Sequence, residues 1–190
     1  NTQNYSTSSL SYFVNVVDTT LPTFTGIPQN DTITYGVYWS GEDFNATDET
    51  LFDSYTVNDS RFTINASGYL NTTKLLGVAA YTLNITINDS SNNIASLIYN
   101  LSVTKAIPNG TLTNRTALTL TYNVPFNFTF SEANGGDDDV AYEVWKGVFN
   151  ATNQSGKNTV LGAGTYNYIL NTTGGANYSA NASINGFNLT

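Results

Sequence analysis

Cysteine, histidine and methionine are missing from the 190 residues, proline occurs four times, and only 11% of the side chains are charged. Without cysteine there is no disulfide framework and no thiol chemistry. With histidine missing as well, an ordinary zinc site and a His-dependent triad are excluded. Basic side chains are scarce, six against 14 acidic, and the net charge of −8 makes a nucleic-acid backbone a poor partner. No apolar run approaches the roughly 18 residues of a spanning helix, so no membrane span is expected. The lack of methionine fits a mature chain whose leader was removed, and a fragment of a longer chain would look the same. The length suits two domains of about a hundred residues or one larger domain.

What is abundant is amide and hydroxyl. The chain has 27 Asn, 29 Thr and 16 Ser. Random placement at that composition predicts about six Asn-x-Ser/Thr triplets, the acceptor pattern for N-linked glycans. Eighteen occur, at Asn4, Asn30, Asn45, Asn58, Asn65, Asn71, Asn84, Asn88, Asn100, Asn109, Asn114, Asn127, Asn150, Asn153, Asn171, Asn177, Asn181 and Asn188. A polar β-protein also gathers Asn and Thr in turns, but a threefold excess points to selected acceptors. The triplets at Asn30, Asn58 and Asn88 have Asp in the middle and are the weakest.

The triplets have a register. In Tyr81–Asn88, the apolar Tyr81, Leu83, Ile85 and Ile87 alternate with Thr82, Asn84, Thr86 and Asn88. A strand has period two, so one face packs and the other carries the acceptors. Leu97, Tyr99, Leu101 and Val103 alternate with Asn100 and Ser102 in the same way, as do Phe126, Phe128 and Phe130 with Asn127 and Thr129. The middle residue of each such triplet is expected in the core, with the Asn and the hydroxyl on the wet face.

No stretch keeps a helical period. Short runs rich in Val, Ile, Tyr, Phe and Thr recur between Gly, Asn, Asp and Pro, the pattern of an all-β sandwich. Turns are expected at Asp89–Asn93, at Asn109-Gly110 and Asn185-Gly186, and at the Gly pairs 135–136 and 174–175. Boundaries are expected at Asp18–Pro22 and Lys105–Pro108, where an apolar strand ends and proline enforces extended backbone. That division gives a strand at 1–17, a sandwich at 18–105 and a second at 106–190.

The segments Phe62–Leu70 and Tyr81–Asp89 resemble the middle and late strands of Ig-like and cadherin-like modules of prokaryotic surface proteins. The segments Gly162–Tyr168 and Gly174–Tyr178 resemble an Ig-like repeat of archaeal cell-surface proteins. The resemblance implies two tandem Ig-like sandwiches in a secreted or surface-attached protein. The acidic calcium motifs of cadherins are not recognisable, apart from isolated Asp18 and Asp89.

Residues 1–17 stand apart. Ser9–Val17 resembles Ser96–Thr104, the closing strand of the first expected sandwich, and Asn4-Tyr5-Ser6 matches Asn177-Tyr178-Ser179 near the chain end. Leu10, Tyr12, Val14 and Val16 thus face a core that the chain does not supply at that point. A lone strand is unstable and leaves backbone groups unpaired on both edges. It can be donated to a neighbouring subunit, fold back on its own first sandwich, or mark one period cut from a tandem array. Donation is favoured, with Leu10, Tyr12, Val14 and Val16 at the subunit interface.

The chemistry candidates are weaker. Acidic clusters at Glu42-Asp43, Asp48-Glu49 and Asp137-Asp138-Asp139 offer hard oxygen ligands of the kind calcium takes, but the spacing matches no EF-hand loop and the run 137–139 reads as a solvated turn. No cofactor is expected beyond covalent N-glycans, with calcium the one ion that the acidic clusters leave open. Glu132 and Glu143 are the carboxylates to test for a hydrolase, and no enzymatic activity is expected. Trp39, with the parity of Val37, is expected in the core; Trp145 shares the face of Glu143 and its side is left open, an outward Trp being able to stack on a glycan or bury at a subunit contact. These readings converge on a heavily N-glycosylated extracellular filament subunit, assembled head-to-tail with copies of itself. A carbohydrate-binding or adhesin fragment of a tandem array is the alternative.

Overall fold

A computed structural model describes residues 6–114, 117–133 and 139–190. Among these the fold is all-β, and the one helical element is a short 3-10 turn at Thr152–Gln154.

In the N-terminal half the strands are β1 (Thr23–Gly26), β2 (Asp31–Thr34), β3 (Glu42–Asp43), β4 (Asn45–Thr47), β5 (Phe52–Val57), β6 (Thr63–Ile64), β7 (Tyr69–Asn71), β8 (Ala79–Asp89) and β9 (Ile94–Thr104). Its main sheet runs β2-β9-β8-β5, with β3-β7-β6 and the pair β1-β4 completing the wall. The long hairpin of β8 and β9 is antiparallel, while β2 lies parallel to β9 from Asp31↔Leu101 to Thr34↔Thr104. In the C-terminal half the strands are β10 (Gly110–Asn114), β11 (Phe128–Glu132), β12 (Tyr142–Lys146), β13 (Phe149–Asn150), β14 (Tyr166–Thr172) and β15 (Asn181–Leu189). The sheet β13-β12-β14-β15 faces the pair β10-β11.

Each half has its own cluster of buried side chains. Trp39, Phe44, Leu70, Leu83, Ile85, Tyr99 and Leu101 lead the first; Phe126, Phe128, Val144, Tyr168, Leu170 and Leu189 lead the second. The alternation read in Tyr81–Asn88 is realised on β8, where Leu83, Ile85 and Ile87 are fully buried and their neighbours face water. Tyr35 packs against both clusters and meets the Tyr178 ring edge-on at 5.5 Å. The same junction holds Asn177, whose side-chain carbonyl accepts the Val78 N–H at 2.9 Å and whose backbone carbonyl accepts that of Ala106.

The β8–β9 turn forms as expected. Asp89 is buried, and its carboxylate accepts the Ser91 and Asn93 N–H groups and the Asn93 amide, while Asn92 takes the left-handed φ of 67°. Two other turn expectations fail. Asn185-Gly186 lies inside β15, because pairing with β14 supplies the hydrogen bonds that a hairpin turn would have made locally. Asn109-Gly110 leads straight into β10: Gly110 is buried at a spot where a Cβ would sit about 3 Å from Ser131, Leu170 and Tyr142. The Gly pair 135–136 lies outside the described residues. Trp39 is in the core, but Val37 is 54% exposed. Residues Tyr35 and Gly36 make a turn closed by Val37 N–H to Thr34 O, which breaks the shared parity.

One local electrostatic feature yields a pH expectation. The Arg61 guanidinium and backbone N–H hydrogen-bond Asp59 and hold its carboxyl down to about 2, below its ordinary value of 3.8. A depressed carboxylate stabilises the fold above pH 4 and loses that contribution as pH falls toward 2. The Asp59→Asn variant should therefore unfold at a lower temperature than the parent at pH 6, with the gap closing by pH 2. Thermal melts at the two pH values check it.

Candidate functional site

The acceptors and the N-terminal run are the two features that could carry function. Asn4 lies outside the described residues. Of the other seventeen acceptors none is buried. Asn30, Asn45, Asn58, Asn65, Asn109, Asn150, Asn153 and Asn188 are exposed, and Asn71, Asn84, Asn88, Asn100, Asn114, Asn127, Asn171, Asn177 and Asn181 are half-buried. The middle residues behave oppositely: Thr72, Ile85, Asp89, Leu101, Gly110, Phe128, Ala151, Thr172, Tyr178 and Leu189 are buried. Strand register explains this for Ile85, Asp89, Leu101, Gly110, Phe128, Thr172 and Leu189, which lie in strands; Thr72, Ala151 and Tyr178 are buried just outside them.

Several acceptor side chains are held in place through the oxygen that glycosylation does not use. A glycan is attached at Nδ2, and Asn30 Oδ1 accepts the Asn100 N–H while Asn58 Oδ1 accepts the Asn84 N–H, both at 2.8 Å. Asn65 Oδ1 accepts the Ser67 and Tyr69 N–H groups within its turn. These bonds bring Asn30 beside Asn100 and Asn58 beside Asn84 on the outer side of the main N-terminal sheet. Two acceptors use Nδ2 itself: Asn127 donates to Asn158, and Asn150 to Glu143, each at 3.1 Å. A substituted amide keeps one N–H, so both bonds can survive attachment of a sugar. Scaling of surface with mass predicts about 9,000 Å² for a compact 20.5 kDa chain. The accessible surface is 11,887 Å². The excess comes partly from the extended N-terminal run, and it leaves about 660 Å² per acceptor rather than 500.

Residues 6–22 form no strand within the chain. Leu10, Tyr12, Val14 and Val16 are 76, 81, 84 and 88% exposed. Among the described residues, 6–17 have no cross-strand partner and do not pair with the first half. Asp18 ties the chain to the first half: its carboxylate accepts the Thr20 N–H and the Thr50 hydroxyl, and its carbonyl accepts the Asn93 amide. The Thr50 bond in particular lowers the Asp18 carboxyl below its usual range.

The chemistry candidates separate. Asp137 and Asp138 lie outside the described residues, and Asp139 Oδ2 accepts the Ala176 N–H at 2.6 Å, pinning the 174–176 loop. The acidic pair Asp48-Glu49 meets Asp18 at the base of the N-terminal half, where oxygens of the three side chains lie within 4.8 Å of one another. Asp18 and the pair Asp48-Glu49 each stand out in the sequence, but their convergence across 30 residues does not. Glu132 is exposed at the end of β11, and Glu143 is taken up by Trp145 and Asn150. Trp145 is outward and half-buried, its indole N–H donating to Glu143 at 3.0 Å and its Cα partnered with Asn150 across the β12–β13 pair. Among the described residues no helix is long and apolar enough to cross a membrane.

No known protein family matches the sequence, and no curated protein matches it. Solved structures similar in fold include Drosophila N-cadherin EC1–4, at 15% identity over 89% of this chain and 48% of that one, with a TM-score of 0.44. Fibronectin(III)-like modules of Clostridium thermocellum CbhA match at 14% identity over 89% of this chain and 92% of theirs, with a TM-score of 0.33. Bacteroides ovatus SGBP-B, solved with a mixed-linkage heptasaccharide, matches at 12% over 90% of this chain and 47% of its own, with a TM-score of 0.38. The chain spans about half the length of the N-cadherin structure. These neighbours are tandem Ig-like β-sandwich modules, the type the sequence resembles.

Proposed function

We propose that this chain is a structural subunit of an extracellular filament, built from two Ig-like sandwiches at about 18–105 and 106–190, coated with N-glycans and joined head-to-tail by donation of the N-terminal strand. The observation that carries the reading is the run Leu10–Val16: Leu10, Tyr12, Val14 and Val16 alternate along it and, with Phe13, stand 76–100% exposed, with no partner strand among the described residues. Burying each is worth roughly 1.5–3 kcal/mol, and a neighbouring copy is the partner present at the highest local concentration. A head-to-tail contact that does not close on itself gives a fibre. The glycan coat is supported by seventeen acceptors with no buried member. It would shield sheet edges that a chain with so few charges otherwise leaves open to wrong pairing.

Natively expressed material tests both parts. Its subunit mass should fall by many kilodaltons on deglycosylation, and negative-stain images should show fibres. A mass unchanged by deglycosylation would refute the coat, and single particles would refute the fibre. Outward Trp145, facing Asn150 and Glu143, favours the second reading, a carbohydrate-binding module; that reading expects monomers that bind a soluble glycan.

A further inference from the structure

We propose that the N-terminal run of one copy is received by the open edge of β15 in the C-terminal half of the next, and that Ser9–Val17 pairs there parallel to β15. This rests on the filament reading and adds the place and the direction.

The two halves treat their last strand differently. In the N-terminal half β9 is flanked on both sides, by β8 and by β2, the latter parallel. In the C-terminal half the sheet stops at β15, which pairs with β14 alone among the described residues. The chain approaches the missing position from both ends. Ala106 makes a parallel bridge to Tyr178, with hydrogen bonds to Asn177 O and from Ser179 N, just before β15 begins. Thr190 donates to Leu118 O and accepts from Leu120 N, each at 2.8 Å, just after β15 ends. Between them the chain leaves for β10 in the opposite sheet. The gap spans Asn181–Leu189, and setting Ser9 beside Ala182 places Val14 beside half-buried Phe187 and Val16 beside buried Leu189, on the core side of the sheet.

The side chains suit each other. Ile184 and Phe187 on β15 pack against the core yet stay half-exposed, beside the position that Leu10, Tyr12, Val14 and Val16 would fill. Neither β15 nor Ser9–Val17 contains a charged residue, so pairing buries no unmatched charge.

Direction follows from where β15 starts and stops. It starts beside Asn177 and Tyr178, which touch Val78 and Tyr35 of the same copy's N-terminal half, and it stops at the far end with Leu189. A parallel donor leaves the groove at that far end and places Asp18, with the body of its own copy, beyond it. An antiparallel donor would leave at the junction, where the N-terminal half already sits. The far end also carries an apolar cleft lined by Leu120, Tyr122, Val124, Leu161 and Tyr166, a surface for the arriving copy to cover.

The absence of native cysteine makes the test clean. Four double variants are expressed in the natural host: Ser9→Cys with Ala182→Cys, Asn15→Cys with Asn188→Cys, and the two crossed combinations, Ser9→Cys with Asn188→Cys and Asn15→Cys with Ala182→Cys. Filaments are imaged, treated with a short thiol–thiol crosslinker, and run on denaturing gels. The first two should give multimer ladders at least tenfold stronger than the crossed two. Ladders from the crossed pairs, or filaments without ladders from any pair, would overturn the inference while leaving the filament reading intact. Absence of fibres from the parent chain as well would overturn both.

Discussion

Replacing Tyr12 and Val14 together with Asp is expected to abolish filaments while leaving the unfolding temperature of the monomer unchanged. Both side chains stand in water in their own chain, so the monomer loses no packing. In the assembled state they would enter an apolar groove, where the lost burial of about 1.5–3 kcal/mol per side chain is compounded by the cost of an unpaired carboxylate. Deleting residues 1–17 should act the same way. Negative-stain imaging and a thermal melt on the same preparations read the two halves of this expectation. Fibres that persist in the double variant would remove the donor role, and a drop in monomer stability would show that the run is packed within its own chain.

The second large effect separates the two jobs within one glycan triplet. Ile85, between Asn84 and Thr86, is fully buried in the N-terminal cluster, and Ile85→Ala should destabilise that half by about 2–5 kcal/mol while leaving the acceptor chemically intact. Asn84→Gln, on the wet face of the same strand, should remove one glycan and shift stability by only about 0.5 kcal/mol. Chemical denaturation gives the first number, and intact mass with denaturation gives the second. Equal costs at the two positions would mean that the triplet is a packing motif and not an acceptor set on a packed frame.

That triplet also shows what could be read from the sequence. Period-two alternation on β8 and β9 was legible because a strand with one wet face must alternate, and eleven-residue strands give the pattern room to repeat. The expected acceptor face followed from the same rule. What depends on distant partners was not legible. Asn177 looks like any other acceptor, yet its side chain bonds to Val78, 99 residues earlier, at the junction of the halves. Tyr35 looks like a strand residue and instead spans two cores. Asn185-Gly186 has turn chemistry, but a neighbouring strand overrode the local preference. The carboxylates of Asp18, Asp48 and Glu49 converge only because Asn93 and Thr50 anchor the chain at Asp18. The orphan character of the N-terminal run was readable, since its apolar alternation had no counterpart beside it in the sequence. The unpaired edge of β15 was not, because a missing strand leaves no residues behind to read.

A density map of filaments purified from the natural host tests the central claim most directly. The account predicts continuous density from Asp18 of each subunit into the neighbouring copy, where Leu10, Tyr12, Val14 and Val16 are buried as one strand of its sheet. Density that leaves those four side chains in solvent, or that folds them onto their own subunit, would contradict it.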